Sequence, residues 1–295
     1  MKQIKSENRN LWLFFLTAFA WSWLFWIWEA LASHGLISSP LPSDLMELLG
    51  VFGPTLAAII LTVIYAGRVG LRELLGRLPV WRVGVQWYIF VLLWPVLLSL
   101  LTTAIHILSG GSAPDFANPP IMSLYPLPPE AKTVGLLPLL VFVFLQQTFI
   151  GSSMREEIGW RGYALYRLLK TKNALYASLI LGVIWGIWHL PRFFSQGNPL
   201  VNVFFGWFFL GIVADAIFFT WIYNNTKGSL LLVLLFHTSI AITSLFLSTA
   251  TTPPFIDLAL KGGLIVVILR IWGPKRMIRE TNQKNDAKTT SPNNG

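Results

Sequence analysis

Two adjacent glutamates, Glu156 and Glu157, lie in a stretch of seven residues that is far more charged than the chain around it. Segment 155–161 has four ionisable residues, whereas only 12% of the whole chain is charged. A charged side chain in the centre of a bilayer costs roughly 2.5–3.5 kcal/mol even on lenient insertion scales. The cluster therefore predicts a functional site, in which a carboxylate can serve as a general base.

Helical spacing divides the roles within this stretch. Glu157 and Arg161 are four residues apart with the acid first, which is the favourable order for an ion pair within a helix. A buried arginine also requires a carboxylate partner. Glu156 lies about 100° further round the helix and is then free to face another helix. The alternative is that both glutamates, with Arg155 and Arg161, form a purely structural cluster or a cytoplasmic boundary.

Only four histidines, His34, His106, His189 and His237, can supply imidazole to such a site. Glu156 is fourteen residues before Lys170, about 21 Å of helix axis. The next helix runs the other way and places His189 about 24 Å from its start. This hairpin therefore brings Glu156 and His189 to similar depth. The same calculation places His237 only about 12 Å along the axis of its helix. The sequence alone therefore does not bring His237 to the depth of Glu156 and His189.

The elements that must position these side chains are transmembrane helices. The 295 residues are 54% hydrophobic, with 14 Trp and 21 Phe, and the mean hydropathy is +0.61. These values predict an all-α, polytopic membrane protein with its site inside the helical bundle. Eight apolar runs are long enough to cross: 11–32, 46–66, 86–108, 134–169, 174–190, 200–223, 229–248 and 255–273. The absence of Cys excludes thiol catalysis and disulfides.

Basic residues predict the orientation, with both termini in the cytoplasm. The segments assigned to the inner side carry most of the Lys and Arg, whereas the outer segments hold only Lys132, Arg192 and Lys261. The net charge of +9 is thereby explained by membrane orientation, without a nucleic-acid partner.

The chain divides into four parts. Residues 1–133 contain the first three transmembrane helices, with 67–85 as an amphipathic segment on the inner face or, equally, a solvated basic loop. Residues 134–248 are expected to form the core that carries the glutamate and histidine site, 249–279 the last transmembrane helix and 280–295 a disordered tail.

Three motifs in order resemble those of the CAAX-protease and bacteriocin-processing (CPBP, or Abi) intramembrane endopeptidases. They are Glu156-Glu157-x-x-x-Arg161, then Trp185-x-x-x-His189, then His237 about fifty residues on. The resemblance covers roughly 134–247. The family usually has Asn four residues after the last histidine, where this chain has Ala241, which puts the strength of oxyanion binding in doubt.

The resemblance implies a membrane-embedded protease, and the residues suggest its chemistry. Glu156 would be the general base for a water, His189 would position that water, and His237 would donate to the oxyanion. Glu157 and Arg161 would orient Glu156. In a metalloprotease version, Glu156, His189 and His237 would bind Zn; the glutamic, metal-independent version is preferred because HExxH is absent.

The expected partners are the lipid bilayer and a peptide or membrane-protein substrate, in a bacterial plasma membrane and with cleavage near the inner face. Two other functions fit the same charges. A catalytically silent relative could act as a membrane scaffold or bacteriocin-immunity protein, which Ala241 favours. A proton-coupled transporter also carries intramembrane acids and histidines, but no paired inverted halves are visible.

Overall fold

A computed structural model describes residues 2–124, 135–247 and 252–279, and in these residues the structure is helical without a strand. The main helices are α1 (Lys2–Ser33), α2 (Ser43–Val51), α3 (Gly53–Leu75), α4 (Val85–Leu108), α5 (Leu136–Phe149), α6 (Ser152–Glu157), α7 (Ala174–Trp188), α8 (Phe205–Asn225), α9 (Leu230–Phe246) and α10 (Pro254–Trp272). The predicted tail 280–295 and the proposed boundaries near 133 and 248 lie outside the described residues.

The class predicted from composition, an all-helical membrane protein, is confirmed, whereas the count of eight crossings is not. Among the described residues, six helices are long and apolar enough to span: Asn10–Ser33, Gly53–Leu75, Val85–Leu108, Leu136–Leu168, Ala174–Phe194 and Phe205–Asn225. Helix α9 is apolar but shorter. Helix α10 has the length of a span but carries Asp257, Lys261 and Arg270.

Four turns that together carry eight of the 22 Lys and Arg residues meet at one end of the bundle. The Leu230 N–H donates to the Arg77 carbonyl at 3.0 Å, and the Ala174 N–H donates to the Lys275 carbonyl at 2.9 Å. We call this the basic end; it comprises segments 76–84, 169–173, 226–229 and 273–279. Because alternate connections of an antiparallel bundle lie on the same side, this clustering agrees with the charge pattern of the sequence.

Helix α3 bends at Gly67, where the predicted amphipathic segment 67–85 begins. Gly67 has φ 59° and ψ −154°, a conformation that glycine adopts at little cost and other residues avoid. The predicted run 46–66 is itself divided, since α2 ends before Phe52 and α3 starts after it. Whether 67–85 lies on the membrane stays a prediction.

The run 134–169 was expected to be one α-helix, and the structure divides it instead. Gly151, with extended φ −75° and ψ −168°, separates α5 from α6. The next eight residues, Ile158–Leu165, form a π-helix before a last α-turn at Tyr166–Leu168. A side chain at Gly151 would overlap the backbone of Gln147, so the break requires glycine there. The π-helical turns that follow are of a kind that often occurs at functional sites.

Small residues let the π-helix lie deep in the bundle. A side chain at Gly159 would overlap the backbone of Pro54 at the start of α3, and one at Gly162 would meet Leu74 and Leu230. Arg77 donates to the Gly162 carbonyl at 2.9 Å. The π-helix therefore connects α3 and α9 and holds the end of α6 in the core.

Candidate active site

Glu156 and Glu157 end α6, where the chain passes from α-helical to π-helical turns. Both are buried, with 2% and 0% of their surface exposed. Neighbouring positions on a helix point in different directions, and the two carboxylates accordingly have different partners. Buried carboxylates without partners would be costly, so these partners define the site.

The Glu157 carboxylate has two partners, the Arg161 guanidinium and the His237 ring. Arg161 Nη1 donates to its Oε1 at 2.7 Å and its Oε2 at 2.9 Å, so the ion pair expected from the sequence is present. His237 Nδ1 lies 2.6 Å from the same Oε1. Helix α9 thus brings His237 to the glutamates, which the depth arithmetic on the sequence did not show.

Two aromatic rings enclose the Arg161 guanidinium. Its centre lies 4.2 Å from the Trp185 ring and 3.9 Å from the Phe219 ring. The side chain is fully buried, and its Nε and Nη2 have no hydrogen-bond partner among the described residues. Contacts with both ring faces therefore supply part of the compensation that the buried cation needs.

Glu156 accepts a hydrogen bond from the Trp185 indole. The Nε1–H donates to Oε2 at 2.8 Å across 29 residues of sequence. This contact joins α6 to α7, so the two helices that the sequence paired by depth do meet at Glu156. It also fixes the carboxylate by a donor that carries no charge.

His189 follows directly after α7 and is 5% exposed. Its Nδ1 lies 2.8 Å from the Trp185 carbonyl oxygen. Because a carbonyl only accepts, Nδ1 carries the proton in this bond, and Nε2 of the neutral ring is left as an acceptor. Trp188 and Phe208 pack edge-on against the ring, with centroids 4.8 and 5.2 Å away.

Trp185 lies between the three residues that the sequence assigned to catalysis. It binds Glu156, and its ring centroid is 5.8 Å from that of His189 and 5.8 Å from that of His237. The sequence placed Trp185 in a motif with His189. Phe219 was missed altogether, because one more Phe in an apolar helix carries no sequence signal.

A three-ligand metal site does not form from these side chains. Within 2–124, 135–247 and 252–279, no group of three His, Asp or Glu residues is arranged to hold a metal ion. The side chains of Glu156, His189 and His237 are therefore not arranged as a three-ligand zinc centre in this structure.

A second charged cluster lies on α8 and α10. Lys261 Nζ is 3.0 Å from Asp215 Oδ1 and 3.2 Å from Asp257 Oδ2, and both Lys261 and Asp215 are buried. Lys261 is therefore an interior residue of α10, and the lone acid in α8 has a lysine partner. The ion pair offsets part of the free-energy cost of burying both charges. It also links α10 to α8.

Three buried hydroxyls bridge the break between α5 and α6. Thr238 Oγ1 lies 3.1 Å from Thr148 Oγ1 and 2.9 Å from Ser153 Oγ, and Thr148 in turn donates to the Phe144 carbonyl. The bonds hold α9 across the break, one residue from His237. Ala241, one turn further along α9, offers no side-chain donor.

These features define a polytopic helical membrane protein with a buried glutamate, arginine and histidine site. The family model for the type II CAAX prenyl endopeptidase Rce1-like domain matches residues 134–243. The chain is also similar to CAAX prenyl protease 2 of Methanococcus maripaludis, with 27% identity over 241 residues, which cover 79% of this chain and 83% of the relative. Both matches support membership of the CPBP family and a protease function in the membrane.

Proposed function

We propose that this protein is an intramembrane endopeptidase that hydrolyses a peptide bond with a water activated by Glu156 and His189. The observation that carries the proposal is the position of Trp185, which binds Glu156 and adjoins both His189 and His237. Three groups suited to hydrolysis thereby surround one indole in a buried site.

Glu156 acts as the general base in this scheme. Trp185 occupies its Oε2, and we assign Oε1 to the water. As the water oxygen attacks the peptide carbonyl carbon, one of its protons passes to Glu156, while the unprotonated Nε2 of His189 accepts a hydrogen bond from the O–H that remains on the attacking oxygen. When the carbon–nitrogen bond breaks, the proton on Glu156 passes to the leaving amine.

His237 binds the oxyanion, and Glu157 with Arg161 positions His237. With both ring nitrogens protonated, His237 donates from Nδ1 to Glu157 and from Nε2 to the developing negative charge. One donor of this kind typically contributes about 2.7–4 kcal/mol to transition-state binding. Glu157 is thus assigned mainly to His237, whereas the sequence had assigned it to Glu156.

The substrate in this proposal is a peptide or protein associated with the membrane. The name of the relative, CAAX prenyl protease 2, makes a prenylated peptide with a C-terminal CAAX sequence the first substrate to assay. A cavity of about 410 Å³ is lined by Trp23, Ile27, Leu190 and Pro191 among others. Its lining is mostly apolar and includes the residue that follows His189 in the chain, which suits hydrophobic substrate residues.

The test measures peptide cleavage by the purified protein in lipid nanodiscs, using quenched prenylated and unmodified peptides. Glu156→Gln and His189→Ala are each expected to lower kcat at least about a hundredfold, in the range of general acid–base contributions. Full activity in both folded variants would refute the mechanism. Chelation followed by added Zn separates the two protease types, since activity that returns only with Zn contradicts the metal-independent scheme.

A silent scaffold or immunity-type protein is the second candidate, and Ala241 is the residue that favours it. This candidate predicts that wild-type protein cleaves none of the peptides, while its cellular phenotype persists in Glu156→Gln. Cleavage by the wild type decides against it.

A further inference from the structure

Arg192 is a cation held beside the candidate active site by a single acidic side chain. It lies three residues after His189 in the 3₁₀-helix Leu190–Phe194, and its N–H donates to the His189 carbonyl at 3.0 Å. Three residues of 3₁₀-helix advance by about 6 Å, so the backbone of Arg192 is held close to that of His189.

The partner of Arg192 comes from a different element. Arg192 Nη2 lies 2.5 Å from Glu47 Oε1 on α2. The Trp26 indole donates to the Glu47 carbonyl at 3.3 Å, and the Arg192 guanidinium lies 5.4 Å from the Trp26 ring. Trp26 therefore contacts both residues of the ion pair, Glu47 through its indole N–H and Arg192 through its ring.

The pair is open to solvent, unlike the charges inside the site. The side chains of Arg192 and Glu47 are 21% and 30% exposed, whereas those of Glu157 and Arg161 are fully buried. A partly exposed ion pair contributes little to stability because water screens it. Another carboxylate can thus replace Glu47 without a large loss in folding free energy.

Arg192 also has an unused donor. Its buried Nε has no hydrogen-bond partner among the described residues, and Glu47 binds at Nη2. A guanidinium can bind a carboxylate through two parallel N–H groups, an arrangement that Nε and Nη2 offer along one edge. The contact with Glu47 uses Nη2, one of these two donors.

We propose that Arg192 binds a carboxylate of the peptide substrate and that Glu47 occupies this position in the unliganded protein. The inference rests on the proposed protease function and adds a specificity-determining residue to it. An extended peptide spans about 3.3–3.6 Å per residue. A substrate carboxylate bound at Arg192 would therefore belong to a residue a few positions from the scissile bond. It is either the C-terminal carboxylate of the substrate or an acidic side chain.

The experiment compares peptides of one sequence that end in a free acid, in an amide, or in an amide with an added Asp. Wild-type protein in nanodiscs is expected to cleave the better acidic peptide with kcat/KM about tenfold above the neutral amide, as suits a charge-assisted contact. Comparing the free-acid peptide with the Asp-containing amide shows whether Arg192 binds a C-terminal carboxylate or an acidic side chain.

Arg192→Gln is expected to raise KM for the preferred acidic peptide about tenfold and to leave the neutral amide unchanged. Arg192→Lys keeps the charge and should retain part of the preference, whereas Arg82→Gln, at the basic end, is the control and should change nothing. Glu47→Gln removes the competing carboxylate and should lower KM for the acidic peptide alone.

Equal cleavage of all three peptides by wild type overturns the proposal, and so does an equal loss on all peptides in Arg192→Gln. If Arg192→Gln does not fold, Glu47→Gln decides: an unchanged KM for the acidic peptide refutes the inference. No cleavage of any peptide by wild type would instead refute the protease function itself.

Discussion

The two neighbouring glutamates have different tasks because their partners differ in charge. Glu157 neutralises Arg161 and binds His237, whereas Glu156 meets the uncharged Trp185 indole. Removing one member of a buried ion pair leaves the other charge uncompensated, and removing an isolated buried acid does not. The proposed mechanism therefore assigns stability to Glu157 and catalysis to the adjacent Glu156.

Glu157→Gln is expected to destabilise the protein by about 3–5 kcal/mol, because Arg161 loses its buried counter-ion. Glu156→Gln keeps an acceptor for Trp185 and should unfold at or above the wild-type temperature while losing activity. Thermal unfolding in detergent, with cleavage assays, measures both effects. Equal destabilisation by the two variants would contradict this division.

Ala241 is the position at which a hydrogen-bond donor can be restored. It lies on α9 one turn after His237, so a donor there can reach the same side of the helix. Ala241→Asn is expected to raise kcat by about tenfold or more, since oxyanion donors contribute about that much or more. Ala241→Leu, similar in size without a donor, is the control; the same gain from Leu would show that size alone acts.

At the scale of elements, the π-helix Ile158–Leu165 determines where Glu156 and Glu157 lie in the helical bundle. Gly159 lets it pack directly on Pro54 of α3, and Gly151 lets α6 start in a new direction after α5. The hydroxyl contacts of Thr238 then secure α9 across that break. The position of Glu156 and Glu157 thus depends on close backbone packing some distance from the chemistry.

Gly159→Ala is expected to lower stability by about 1–3 kcal/mol, because overpacking strains a filled core, and to reduce cleavage by moving the glutamates. Gly211→Ala in α8, where an added Cβ meets nothing within 4 Å, should leave stability unchanged or raise it, since alanine favours helix. Unfolding temperatures of the two variants provide the comparison. A Gly159→Ala protein as stable as Gly211→Ala would show that the contact with Pro54 is loose.

At the scale of the whole molecule, the two ends of the bundle differ in charge and in their relation to the site. Helix α7 begins at the basic end, where Ala174 binds Lys275, and His189 follows its far end. The predicted orientation, with the basic end in the cytoplasm, would place His189 and Arg192 towards the outer face. Both this orientation and the expected cleavage near the inner face stay predictions.

The absence of Cys from the chain permits a direct test of orientation by single cysteines. Thr171→Cys at the basic end and Ser112→Cys after α4 are both exposed positions. In intact cells an impermeant maleimide should label Ser112→Cys only, and permeabilised cells should label both. The reverse labelling would place the basic end outside.

Several features of the site followed from the sequence because they depend on local spacing. The Glu157–Arg161 pair is set by one helical turn, and the meeting of Glu156 with the end of α7 follows from helix rise in a tight hairpin. Membrane class followed from apolar composition alone. Such features need no knowledge of how distant helices pack.

Other features were decided only by tertiary structure, because they depend on contacts between segments far apart in the chain. Phe219 on Arg161, His237 on Glu157 and Lys261 on Asp215 each join different helices. The π-helix is likewise stabilised by close contact with α3, which no local pattern encodes. The sequence by itself determined that the charges of segment 155–161 had to be buried and paired Glu157 with Arg161. Helix packing decided that Lys261 is buried and which partners from distant helices neutralise these charges, since a buried charge is stabilised only by groups brought within hydrogen-bond distance.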